Sequence, residues 1–193
     1  MQLIFATNNE NKTREVKAAL HGSVNILSLK EAGIEREIPE PWFTLEENAR
    51  EKAITIWGMT ENSCFAEDTG LEVEALGGEP GVRSARYAGE EANDEMNIEL
   101  LLKKMEGIPN RNARFRTVVH LVLNGEEHSF EGICRGRINE EKCGEHGFGY
   151  DPVFIPDGSN KTFAQMEIAE KNLYSHRKKA ISKLTDFLNT IHE

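Results

Sequence analysis

The sequence has little of what marks a secreted, membrane-spanning or nucleic-acid-coating protein. Its only cysteines are Cys64, Cys134 and Cys143. An odd number without a C-x-x-C pair argues against both a disulfide framework and a zinc knuckle. Reduced thiols, and hence a cytoplasmic location, are the simplest expectation. No run of 18 apolar residues occurs, so no membrane-spanning helix is expected. The opening Met1-Gln2-Leu3-Ile4-Phe5 carries neither a basic leader nor a signal-type apolar segment. Positive charge is also short: 23 Lys and Arg stand against 33 Asp and Glu, a formal net charge of -10. Such a chain is a poor general binder of nucleic acid, whose affinity rests on neutralised phosphates. A small anionic ligand held by a local cluster of cations remains open. Repeats, low-complexity tracts and an obvious linker are all missing.

What is present fits one soluble domain spanning residues 1–193, with room for two lobes. A domain of this size buries roughly 70% of its unfolded surface, so its core needs no covalent or metal staple. Leu3-Ile4-Phe5-Ala6 reads as a strand buried on both faces. A helical pattern with Val16, Ala19 and Leu20 follows, and Val24 to Leu29 reads as a second strand. Thr44-Leu45-Glu46-Glu47 matches a capping box, predicting a helix running towards Trp57. Ser63 to Ala66 and Leu71 to Leu76 read as two further strands, separated by an acidic turn at which Gly70 lets the chain bend. Gly77 to Gly81 has turn composition. Asn93 to Met105 reads as a helix burying Met96, Leu100 and Leu101. Arg114–Leu123 and Glu127–Ile138 form strands joined through Asn124-Gly125, a strong hairpin signal. A last helix from about Ser175 to Ile191 buries Ile181, Leu184 and Leu188. Strand–helix alternation followed by a long hairpin predicts an α/β fold with a mixed sheet.

Five segments carry candidate chemistry. Thr7-Asn8-Asn9-Glu10-Asn11-Lys12 lies between a strand and a helix, where unpaired N–H groups favour a phosphate and Lys12 and Arg14 add charge. It is not a Walker A loop, because G-x-x-x-x-G-K-[ST] is absent. Glu67-Asp68 follows an apolar strand. Two adjacent carboxylates there are costly without a cation, and a hard oxygen site of that kind suits Mg²⁺. Glu40, bracketed by Pro39 and Pro41, could supply a further metal ligand, whereas Glu47 belongs to the capping box. In Gly147-Phe148-Gly149-Tyr150-Asp151-Pro152 the glycines let an aromatic ring lie exposed against a base, with Asp151 as an acceptor. In Lys171 to Lys179, basic residues including His176 and Arg177 crowd the start of the last helix against its dipole. An anionic ligand would relieve that conflict. Each segment also has an ordinary structural reading, as a cap, a solvated turn or a solvated face.

Taken in order, these segments make the chain resemble the inosine triphosphate pyrophosphatase family, which acts on non-standard purine nucleotides such as ITP, dITP and XTP. The resemblance runs through Thr7-Asn8-Asn9 to Lys12 with Glu15, Glu47-Asn48-Ala49 with Lys52-Ala53, and Glu67-Asp68-Thr69-Gly70-Leu71. It continues through Gly78 to Val82, Ser84 to Gly89, Phe148 to Pro152 and Ser175-His176-Arg177. It implies Mg²⁺-dependent hydrolysis to a monophosphate and pyrophosphate, an elongated two-lobed α/β fold with a central active cleft, and a homodimer. Position by position, it implies that Thr7, Asn8, Asn9, Glu10, Asn11 and Lys12 hold the phosphates and that Asp68 accepts the proton. Glu40, Glu67 and Asp68 would organise the metal, and Thr69, Phe148, Gly149, Tyr150, Asp151, Lys171, His176 and Arg177 would contact substrate. Two other classes compete at this stage: a Maf-type pyrophosphatase for other modified nucleotides, and a nucleotide-binding protein without turnover.

Overall fold

The computed structural model describes residues 1–20, 24–36, 38–91 and 93–191. The chain forms two compact units. One comprises Met1–Asp68, Thr117–Gly132 and Arg177–Glu193; the other comprises Thr69–Arg116 and Ile133–His176. Helices and a seven-stranded mixed sheet give the α/β class expected from the sequence.

In the first unit, β1 (Gln2–Phe5) pairs in parallel with β2 (Asn25–Ser28) and with the start of β3 (Cys64–Val73). Parallel neighbours need crossovers, and α1 (Glu10–Ala19) and α2 (Leu45–Thr60) supply them. The unbroken apolar run of β1 is explained by burial on both sides: Leu3 and Phe5 join one core cluster, Ile4 and Ala6 another. Phe5 stacks on Phe65 with ring centroids 4.6 Å apart. Thr44 caps α2 as expected, its Oγ1 accepting from the Glu47 N–H and donating to the Glu47 carboxylate. β5 (Asn112–Leu123) and β6 (Glu126–Ile138) meet at Asn124-Gly125, with φ of 51° and 88°. Two successive positive φ values match the hairpin turn that suits strand twist. The closing helix α5 (His176–Ile191) buries Ile181, Leu184 and Leu188.

Two local expectations are revised. Residues 63–76 do not form two strands around a turn; β3 runs unbroken from Cys64 to Val73 through Glu67, Asp68 and Gly70. Gly70 serves close approach rather than bending, since a Cβ there would lie 2.5 Å from the Gly81 carbonyl oxygen. That carbonyl belongs to β4 (Pro80–Gly81), paired antiparallel with β3. The bend comes later, at Gly77 and Gly78. In α3 (Asp94–Lys104) the buried stripe is Asn97, Ile98 and Leu101, while Met96 faces solvent and Leu100 is half-buried. Asn97 turns the helix this way by accepting from the Ala88 N–H at 2.8 Å and donating to the Ala85 carbonyl at 2.9 Å.

The second unit packs α3, β4 and β7 (Phe154–Pro156) around an aromatic core of Phe115, Tyr150, Phe154 and Phe163. The short α4 (Ile168–Lys171) carries Lys171 at its end. Strand order across the sheet is β2-β1-β3-β5-β6-β7, with β4 beside β3.

Candidate active site

The phosphate-loop candidates follow directly on β1. Asn9 caps α1, its side-chain oxygen accepting from the Lys12 N–H at 3.0 Å, and the Asn9 N–H donates to Thr7 Oγ1 at 3.1 Å. Asn8 donates to the Arg36 carbonyl at 3.2 Å. Asn11 accepts from Arg14 at 2.9 Å, and Glu10 is exposed. The loop is therefore preshaped by its own polar side chains. Lys12 extends from it to Glu67, Nζ to Oε1 3.0 Å.

Glu67 sits within β3, 2% exposed, and both its oxygens are engaged. Arg177 donates through Nε to Oε2 at 2.8 Å and through Nη2 to Oε1 at 3.0 Å. The same guanidinium donates through Nη1 to Glu15. Burial alone would raise the Glu67 pKa, but Arg177 and Lys12 outweigh it and hold the carboxyl far below the usual range. For Arg177, burial opposes the charge, and Glu67 and Glu15 more than restore it.

Asp68, the next residue along the strand, has a different environment. Asn48 donates to its Oδ2 at 3.3 Å, and Lys52 Nζ lies 3.5 Å from its Oδ1. Lys52 is itself buried and donates to Glu40 at 2.5 Å and to the Glu67 carbonyl at 2.8 Å. Burial pushes Asp68 above the ordinary aspartate range; Lys52 and Lys12 oppose this, and Glu40 adds to it. Of two adjacent carboxylates, one is locked as an anion and the other has raised proton affinity. That second state is the one a general base requires.

Glu40, Glu67 and Asp68 do not form a closed cage. Among the described residues no three Asp, Glu, His or Cys side chains group as a metal site. Mg²⁺ needs no such cage, because it usually takes one or two carboxylates together with waters and substrate phosphates. The donors also suit it. Glu40, Glu67 and Asp68 are hard oxygen donors brought to one cluster by Lys12, Lys52 and Arg177.

The base-site candidates lie in the second unit, except Arg177, which stands with Glu67 in the first. Asp151 is buried and accepts from the Phe148 N–H at 3.1 Å and from Lys171 Nζ at 2.5 Å. A Cβ at Gly147 would lie 1.9 Å from Asp151 Oδ2, so this turn closes only around glycine. The two rings of the loop diverge. Phe148 is half-buried, with Lys171 Nζ 5.4 Å from its ring centroid. Tyr150 is core, its hydroxyl donating to the Ser84 carbonyl at 2.8 Å. The Gly149 N–H donates to Asp94 at 2.7 Å. His176 is buried flat against Phe115, centroids 4.6 Å apart and planes 16° apart. Thr69 is half-buried beside Asp68 in the chain.

Three residues outside the expected set join the first cluster: Glu15, Asn48 and Lys52. Asn48 and Lys52 carry a signal that sequence alone offers. They stand one helical turn apart on the buried face of α2, among Leu45, Ala49, Ala53 and Ile56. Two polar residues in an apolar stripe need buried partners, and here those partners include Asp68 and the Glu67 carbonyl.

A cavity of 410 Å³ borders the phosphate loop, lined by Thr7, Asn8, Glu10, Thr13, Arg14, Lys17, Ser28 and Lys30. A larger one of 570 Å³, between Glu72–Glu74, Asn112–Arg114 and Arg135-Gly136, contains none of the candidate site residues.

Residues 3–187 match the model of the Ham1 family. The chain is 48% identical over 189 residues to a dITP/XTP pyrophosphatase of Christiangramia forsetii, covering 98% of this chain and 100% of that protein. It is 50% identical over 187 residues to the protein of the same description from Flavobacterium psychrophilum, covering 97% and 98%. Among solved structures, the Ham1 protein of Staphylococcus aureus superposes with a TM-score of 0.88 at 38% identity, covering 98% of this chain and 99% of that one. The chain belongs to the Ham1 family.

Proposed function

We propose that this protein is a nucleoside-triphosphate pyrophosphatase that hydrolyses dITP, XTP and ITP to the monophosphate and pyrophosphate, clearing such nucleotides from the pool. The observation that carries the reading is the split between Glu67 and Asp68. A buried, raised-pKa carboxylate stands beside a locked one, flanked by Lys12 and Lys52, in a chain nearly half identical to dITP/XTP pyrophosphatases. Lys12 and the N-terminal N–H groups of α1 bind the phosphate chain. Asp68 orients a water and takes its proton as the water oxygen bonds to the α-phosphorus. The bond from that phosphorus to the bridging oxygen breaks, and pyrophosphate leaves against Lys12 and Lys52.

Mg²⁺ is part of this reading. Glu40, Glu67 and Asp68 would hold it, together with substrate phosphates. When bound, the ion supplies charge neutralisation on the phosphate oxygens. Phe148 stacks on the purine, and Lys171 or His176 donates to the six-position carbonyl of inosine and xanthine, which adenine lacks. No described helix is long and apolar enough to cross a membrane, and the three cysteines are free thiols. Both facts suit the cytoplasmic enzyme that the reading supposes; the homodimer comes with the family resemblance.

Pyrophosphate release from dITP, XTP, dATP and dCTP, with Mg²⁺ and with EDTA, tests the proposal. Turnover of the first two in Mg²⁺ is expected. Turnover of dCTP alone would favour the Maf-type reading, and no turnover would favour a binding protein.

A further inference from the structure

The buried face of α2 holds an amide whose contacts all lead to the catalytic strand or to the loop carrying Glu40. Asn48 is 2% exposed. Its Oδ1 accepts from the Trp42 N–H at 3.0 Å, while its Nδ2 donates to the Trp42 carbonyl at 3.2 Å and to Asp68 Oδ2 at 3.3 Å. This side chain therefore closes a two-bond clamp on the backbone of Trp42 and reaches Asp68 with the same nitrogen. Trp42 lies two residues after Glu40, across Pro41. One turn further along α2, Lys52 bridges Glu40 and Asp68 from its own side.

The two residues after Pro41 are open to solvent. Phe43 is 90% exposed and Trp42 nearly half exposed. The Trp42 indole donates to Glu51 at 3.4 Å. Proline on both sides of Glu40 limits φ at 39 and 41 and the conformation of the residue before each proline, but fixes no contact with the rest of the protein. A buried amide with its donor and acceptor both used is a strong local constraint.

We infer that Asn48 is a positioning residue that sets Asp68 and the Glu40–Trp42 loop in register, so that both carboxylates face one reaction centre. The inference deepens the pyrophosphatase reading and rests on it for the reaction. The physical clamp stands independently. Asparagine suits the post because aspartate would place a second anion against Asp68 and lose both donations, while alanine would lose every contact.

Two variants separate positioning from mere packing, with turnover of dITP in Mg²⁺ and hydrogen exchange of the Trp42 amide as readouts. Asn48→Ala removes all three bonds. It is expected to lower kcat by about 10- to 100-fold, the range for losing a hydrogen bond to a charged group, with a smaller change in KM. The Trp42 amide should then exchange at least about tenfold faster. Asn48→Asp keeps the acceptor for the Trp42 N–H and loses the donors. It is expected to keep most of the Trp42 protection while losing turnover at least as severely. That divergence would not arise from general loosening of the fold, and the aspartate variant keeps the test alive if the alanine variant fails to fold. A folded Asn48→Ala enzyme with wild-type kcat would overturn the inference, as would equal Trp42 exchange in all three proteins. If the wild-type enzyme released no pyrophosphate, the function reading would fail, and the exchange data would still decide the clamp.

Discussion

Replacing Arg177 with methionine should destabilise the protein severely, by an amount that depends on pH. The guanidinium is 2% exposed, donates twice to Glu67, and donates to Glu15, which is 6% exposed. Methionine fills similar volume but removes the cation that Glu67 and Glu15 share, while Lys12 stays at Glu67. Breaking a buried pair by deleting one partner destabilises by about 3–5 kcal/mol. For a chain of this size each kcal/mol shifts the melting temperature by about 2–4 °C, so a fall of roughly 6–20 °C is expected at neutral pH. The pH dependence follows from the same contacts. In the native protein the folded Glu67 pKa lies below its unfolded value. Its contribution is therefore present above the unfolded value of about 4.3 and fades as pH falls through that range. Without Arg177, the strongest influence opposing burial is gone and the folded pKa moves up, so the variant loses less stability on acidification than the native protein. The gap between native and variant should narrow as pH falls from neutral through about 4. Thermal melts across that range provide the assay. A variant melting within about 2 °C of the native protein, or a gap that widens on acidification, would refute the assigned network.

Asp68→Asn keeps the size of the side chain and removes the proton acceptor. Its kcat should fall by at least about 100-fold, up to about 10⁴-fold, with the melting temperature little lowered; steady-state kinetics beside a thermal melt checks both. Phe148→Ala should raise KM for dITP by roughly 5- to 100-fold, the range for losing one base–aromatic stack, with a smaller effect on kcat. Titration with the monophosphate product would show the same loss as weaker binding.

Much of the fold is legible because short-range patterns decide it. The two-sided burial of β1, the Thr44 cap of α2 and the Asn124-Gly125 turn each follow from a few adjacent residues. The continuity of β3 is not legible, because Glu67-Asp68-Thr69-Gly70 has turn composition. It stays extended only because Arg177, Lys12 and Lys52 neutralise its carboxylates and Gly81 packs on Gly70. The Met96 and Leu100 expectation failed for a related reason, since the tertiary bonds of Asn97 rotated α3. In the site, Asp68 and Lys12 stand out by residue type, a carboxylate beside an apolar run and a cation in the first turn of a helix. The partnership of Glu15 with Arg177 spans 162 positions and has no local signature. Asn48 and Lys52 lie between these cases, visible as polar interruptions of a buried helical stripe but not readable as to partner.

The central claim is that water, activated at Asp68, attacks the α-phosphorus. Hydrolysis of dITP in water labelled with heavy oxygen tests it directly. The account predicts one labelled oxygen in the monophosphate and none in the pyrophosphate, with turnover lost in Asp68→Asn. Label in the pyrophosphate, or release of single phosphates in place of pyrophosphate, would contradict it.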